Sequence, residues 1–128
     1  MKESDPKGLC PNTPGAKLDA GKIRPQLVMF GFARALEKVA AVATFGANKY
    51  SDGGWVQVED GINRYTDAMF RHLLKEGIGE KFDPQTEVYH AAHVAWNALA
   101  RLDLMIREDK SSATRNTFIN TFKKNLLK

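Results

Sequence analysis

The window from Gln85 to Arg107 constrains this chain more than any other stretch. On a helix, at about 100° per residue, it separates into two unlike faces. Val88, Ala91, Ala92, Ala95, Ala98, Leu99 and Leu102 share one face, and its alanines let a neighbouring helix approach closely. His90, His93, Asn97 and Arg101 share the other, at i, i+3, i+7 and i+11. A water-facing stripe ordinarily carries Lys and Glu, which form helices well and hydrate easily. Histidine and asparagine are not the usual choice there. The window therefore predicts a long helix, with an alanine-rich packing face and a polar face of unusual composition.

Helical spacing accounts for the rest of the chain as well. Phe32, Leu36, Val39 and Ala43 predict a helix over about residues 28–45, with Gly46 as its stop. Asn48 to Trp55 is turn chemistry between two aromatics. Ile62, Tyr65, Met69 and Leu73 mark the buried stripe of a second helix over Glu59–Glu76, ended by Gly77 and Gly79. The helix over Gln85–Arg107 is the third. A last amphipathic helix over about residues 112–127 carries Phe118, Phe122 and Leu126. No segment calls for a strand. The expected fold is all-α: a compact helical bundle with an irregular, basic N-terminal loop over its polar mouth.

Three parts follow from this. Residues 1–16 hold three of the five prolines and two glycines and read as an irregular leader. Residues 17–108 form the helical domain, and 109–128 a basic C-terminal helix or tail. At 128 residues the chain is one domain with one core. Three or four modest helices leave apolar surface exposed, so a homo-oligomer is expected. No run approaches the roughly 20 apolar residues of a membrane span. The opening Met1-Lys2-Glu3-Ser4-Asp5-Pro6 is not a signal peptide, and a single cysteine, Cys10, excludes an internal disulfide. These features point to the cytoplasm and away from membranes. The net charge of +4 is uneven: residues 110–128 carry five basic side chains and no acid. So sparse a tail reads as a solvated segment before it reads as a nucleic-acid contact.

The chemistry-bearing residues crowd into one window. His90 and His93, at i, i+3, can place two ligand atoms on one cation. They can equally form a packing pair or contact a substrate. His72 sits at the edge of the second helix's stripe, beside Arg71. Glu80 and Asp83 lie in the short loop between the helices, where Asp83 could also cap the third helix across Pro84. Three imidazoles, two carboxylates, Arg71 and Asn97 are the inventory of a metal-assisted phosphate site. Each residue alone also has a purely structural reading, and Asn97 could be a packing hydrogen-bonder. Lys17, Lys22 and Arg24, with Gly21 between them, suit a polyphosphate, without the glycine order of a P-loop. Tyr50 and Trp55 could stack on a base, or Trp55 could belong to the core.

Taken in order, these motifs resemble a known family. Lys17-x-Asp19-x-Gly21-Lys22-x-Arg24, Phe45-Gly46-Ala47-x-Lys49-Tyr50, Trp55, Arg71-His72-Leu73, Gly79-Glu80-x-x-Asp83 and His90-x-x-His93-x-x-x-Asn97 are similar to the N-terminal domain of phage dATP/dGTP diphosphohydrolases, over about residues 16–105. The resemblance implies a phage or prophage origin, an all-α fold related to the helical nucleoside triphosphate pyrophosphohydrolases, and purine deoxynucleotides as ligands. In that related class, carboxylate pairs on two helices bind magnesium, water attacks the α-phosphorus and pyrophosphate leaves. This chain departs from the pattern: Glu-x-x-Glu followed by Glu-x-x-Asp is absent, and the third helix offers His90 and His93 instead.

The expected function is metal-dependent hydrolysis of purine (deoxy)nucleoside triphosphates to monophosphate and pyrophosphate, with Mg2+ or Mn2+. Glu80, Asp83 and His72 would be catalytic. Glu80, Asp83, His90 and His93 would hold the metal. Lys17, Asp19, Lys22, Arg24, Lys49, Trp55, Arg71 and Asn97 would bind the purine nucleotide. Two alternatives stand beside it: a binding protein that sequesters a nucleotide signal of bacterial defence, and a nucleic-acid-binding accessory protein.

Overall fold

A computed structural model describes residues 2–126, except the side chains at 114, 115 and 118. Phe118, expected on the last helix's apolar stripe, therefore lies outside the described side chains. The described residues are all-α and contain no strand, only an isolated antiparallel bridge between Phe82 and Tyr89. The elements are α1 (Gln26–Met29), α2 (Ala33–Lys49), a 3-10 turn (Gly54–Gln57), α3 (Gly61–Gly77) and α4 (His90–Leu126). No helix among the described residues is long and apolar enough to cross a membrane.

The chain divides into two units, Met1–Ala33 and Arg34–Lys128. In the first, order comes from Asp5, which is buried. Its carboxylate accepts the backbone N–H of Lys7 at 2.6 Å and of Lys17 at 2.7 Å, tying the leader to the start of the basic loop. The bond from Lys17, above all, holds the Asp5 carboxyl below its ordinary pKa. Lys22 pairs with Glu3 at 2.7 Å, both exposed.

The second unit is built on an antiparallel helical hairpin. Gly61 of α3 packs at the level of Leu104 of α4, Thr66 meets Arg101, and His72 meets His90. A Cβ on Gly61 would stand 2.9 Å from Leu104 Cδ1, so glycine sets how closely the helices approach there. Tyr65 donates its hydroxyl to the Trp55 carbonyl at 2.9 Å, and Trp55, Tyr65 and Trp96 meet edge to face.

Several boundaries differ from those expected. The two helices between Gln85 and 127 are one: α4 runs unbroken for 37 residues, about 55 Å. Residues 108–112 contain neither Gly nor Pro, so nothing there forces a break. The same helix starts five residues late, because 80–89 closes as a turn instead. The helix expected over 28–45 is two, α1 and α2, interrupted at residues 30–32. Gly46 does not stop α2, which runs on to Lys49.

On α4 the polar stripe is the face turned toward α3, with His72 and Glu80 across from it. His90, His93 and Asn97 are buried, with Ala92 and Ala100 beside them. Of the expected packing face, Ala91, Leu99 and Leu102 are exposed. α3 covers the polar stripe and leaves much of the apolar one open.

Candidate functional site

The site forms where α3 ends and α4 begins. Residues 78–89 connect them in a tight return. Asp83 N–H donates to the Val88 carbonyl at 2.9 Å, and His90 N–H donates to the Lys81 carbonyl at 3.0 Å. Asp83 does not cap α4, which begins seven residues later. Its carboxylate Oδ2 closes the turn on itself, accepting the Thr86 N–H at 2.9 Å and the Thr86 hydroxyl at 3.0 Å. Glu87 takes a left-handed backbone, φ 59°, unusual for a residue with a side chain. Its N–H donates to the Asp83 carbonyl at 2.8 Å, so the strain is held by the same turn.

This return delivers two carboxylates to three imidazoles. His90 is 2% exposed, the most deeply buried large side chain described. Its Nε2 lies 3.0 Å from Glu80 Oε1, and its Nδ1 lies 2.8 Å from His72 Nδ1. An ionised carboxylate only accepts, so His90 Nε2–H is the donor. In the neutral ring, Nδ1 then carries a lone pair directed at His72. The His93 ring stacks on that of His72, with centroids 4.3 Å apart. Its Nε2 is 2.7 Å from the Thr86 hydroxyl and 4.0 Å from Asp83 Oδ2. Since the Thr86 hydroxyl donates to Asp83, it accepts from His93 Nε2–H.

Burial sets the electrostatics. It disfavours the charged form of His72, and neighbouring His93 and His90 add to this, lowering its pKa to about 4. His93 is lowered for the same first reason, against the opposing pull of Asp83. Burial alone would raise the Asp83 carboxyl. The two Thr86 hydrogen bonds and the facing imidazoles outweigh it, leaving Asp83 below its ordinary value. At neutral pH His72 and His93 are therefore neutral beside an ionised Asp83.

Open space adjoins these groups. A cleft of about 450 Å³ is lined by Glu80, Phe82, Asp83, Pro84 and Glu87. Three carboxylates on one cleft repel a polyphosphate unless a cation intervenes. A ligand atom from each of His72, Asp83 and His90 lies within 4.8 Å of the others, so these three are disposed to hold a metal ion. The expected metal set was Glu80, Asp83, His90 and His93. Asp83 and His90 of that set lie in this group together with His72, while Glu80 and His93 adjoin it through hydrogen bonds.

The other expected contacts scatter. Arg71 is exposed on α3, next to His72. Asn97 donates to the His93 carbonyl at 2.8 Å, a packing bond within α4. Lys49 is exposed at the end of α2, with Nζ 5.2 Å from the centre of the Tyr50 ring. Trp55 is half-buried and, with Trp96, Leu99, Ala100, Leu102, Asp103 and Ile106, lines a second cleft of about 280 Å³. Lys17, Asp19, Lys22 and Arg24 belong to the first unit. Thr86, which links Asp83 to His93, was not singled out in the sequence; its signal was Asp83-x-x-Thr86 after a glycine and beside a proline, a side-chain-closed turn.

Residues 12–114 match the family described as dATP/dGTP diphosphohydrolase, N-terminal. Among curated proteins, the chain is 36% identical over 81 residues to a dATP/dGTP diphosphohydrolase of Salmonella phage PMBT28. That alignment covers 63% of this chain and 26% of the phage protein, so the chain spans about a quarter of that relative. No solved structure matches.

Proposed function

The chain belongs to the dATP/dGTP diphosphohydrolase N-terminal family, and from that premise we propose that it hydrolyses purine (deoxy)nucleoside triphosphates to monophosphate and pyrophosphate. One observation carries the proposal: three imidazoles and the carboxylates of Glu80 and Asp83 converge beside an acidic cleft of about 450 Å³. A divalent cation held by His72, Asp83 and His90 would neutralise phosphate oxygens there and allow a polyphosphate into the cleft.

The chain's own groups supply the rest. Asp83 stays ionised and fixed by Thr86. His72 stays neutral at pH 7, so an imidazole nitrogen is free of charge repulsion toward a cation. Glu80 reaches the cleft while holding His90, and it is the carboxylate best placed to orient a water. Arg71, exposed beside His72, is a phosphate contact. Lys17, Lys22 and Arg24 give the N-terminal unit a cationic loop of a kind suited to phosphate.

The test is to incubate dGTP and dATP with the full chain and a divalent cation and to follow pyrophosphate release. Equal amounts of dNMP and pyrophosphate support the proposal. Recovery of the intact triphosphate with every divalent metal would remove it; tight binding of that intact nucleotide would point to sequestration instead.

A further inference from the structure

The donors at the head of α4 are unlike a magnesium site. Mg2+ prefers oxygen ligands and keeps much of its water. Here the most buried donor is a nitrogen, and two imidazole nitrogens face each other: His72 Nδ1 and His90 Nδ1, 2.8 Å apart. Two nitrogens bound about 2.1 Å from one ion at right angles stand about 3.0 Å apart. Opposed ligands stand about 4.2 Å apart by the same distances. One nitrogen each of His72 and His90 and a carboxylate oxygen of Asp83 lie within 4.8 Å of one another, so a small inward shift of the side chains would bring them into that range.

The surroundings are those of a supported ligand set. His90 turns Nδ1 inward because Nε2–H is committed to Glu80 at 3.0 Å. A carboxylate behind a ligating imidazole fixes its tautomer and raises its basicity. Asp83 is likewise fixed by the Thr86 N–H and hydroxyl. Burial keeps this part of the site from being a solvated surface cluster.

We infer that His72 Nδ1, His90 Nδ1 and the Asp83 carboxylate bind a first-row transition-metal dication in preference to Mg2+, with Glu80 as the positioning residue of His90. Without the ion, His72 Nδ1–H donates to the His90 Nδ1 lone pair. With it, the His72 proton resides on Nε2, and both Nδ1 lone pairs point at the metal. No redox step is involved. The ion's role rests on the proposed hydrolysis at the same cleft, but its binding is measurable without any nucleotide.

The experiment uses the full chain after chelator treatment, without nucleotide. Calorimetry with Co2+, Zn2+, Mn2+ and Mg2+ should show one Co2+ or Zn2+ per chain, bound on the order of 100-fold more tightly than Mg2+. Zn2+ should move the His72 proton from Nδ1 to Nε2 in nitrogen-15 NMR. Because buried His90 is risky to replace, the variants are His72→Ala and Asp83→Asn, each expected to weaken Co2+ at least tenfold. Glu80→Gln should weaken it about 10- to 100-fold, keep one ion per chain and shift the visible Co2+ spectrum. Glu108→Gln, exposed on the same helix, should leave Co2+ binding unchanged. Three results would overturn the assignment: no ion bound, Mg2+ bound as tightly as Co2+, or undiminished binding in His72→Ala. Ion binding without dNTP turnover would uphold this site while removing the hydrolysis. Turnover with Mg2+ and no transition-ion binding would do the reverse.

Discussion

Replacing His90 by alanine reports on the arrangement at the head of α4. Two hydrogen bonds go: one to Glu80, a charged acceptor, worth about 1.5–3 kcal/mol, and one to His72, between neutral rings, worth about 0.5–1.5 kcal/mol. Alanine's better helix propensity returns only about 0.5 kcal/mol. Glu80, a third exposed, regains water in the mutant, which favours the low end, while the void left by a ring 2% exposed acts the other way. The expected net loss is about 2–4 kcal/mol. For a unit of this size that lowers Tm by on the order of 10–25 °C. Urea unfolding followed by circular dichroism at several temperatures measures it, with an unchanged m-value as the check on two-state behaviour. A change under about 0.5 kcal/mol would mean that His90 is not held between Glu80 and His72, and the site geometry would fall with it.

Stability should also depend on pH through His72. Its pKa is 6.5 in the unfolded chain and about 4 in the fold, so the unfolded state binds more protons between these values. Stability is therefore complete above pH 6.5 and declines as pH falls toward 4; an NMR midpoint for His72 near 6.5 in the metal-free protein would contradict this. Thr86→Val removes the hydroxyl between Asp83 and His93 and should cost about 1–2 kcal/mol; a variant as stable as wild type in chemical unfolding would remove Thr86 from the site. The exposed Leu99, Leu102 and Ile106 on α4 lead us to expect self-association, read as a dimer or larger by light scattering. A clean monomer at tens of micromolar would count against it.

Particular residues show how far the sequence could be read. The spacing of His90, His93 and Asn97 correctly grouped them, because helical periodicity fixes which residues share a face. It does not fix which face a neighbour covers: within the chain, α3 packs on the histidines and leaves Ala91, Leu99 and Leu102 exposed. The convergence of His72, Glu80, Asp83 and His90 was visible as crowding in one window, since a short connection between two helices allows its ends to return to neighbouring positions. The turn itself was not, because it depends on Thr86 closing on Asp83 and on Glu87 adopting a left-handed backbone. Gly46 resembled a stop, but a glycine ends a helix only where the chain takes a positive φ, and there it does not. Asp5, which organises the leader, stood in a stretch that reads as irregular; its role rests on a bond to a residue twelve positions away.

Under the proposed function these imidazoles and carboxylates serve nucleotide chemistry rather than packing alone. Asp83→Asn tests it most directly, because asparagine keeps an oxygen for the Thr86 N–H and hydroxyl while removing the charge. Pyrophosphate release from dGTP and dATP is measured for wild type and variant side by side, together with their melting curves. Turnover should fall on the order of 100-fold, with Tm changed by only a few degrees. A variant that hydrolyses both nucleotides at the wild-type rate would contradict it.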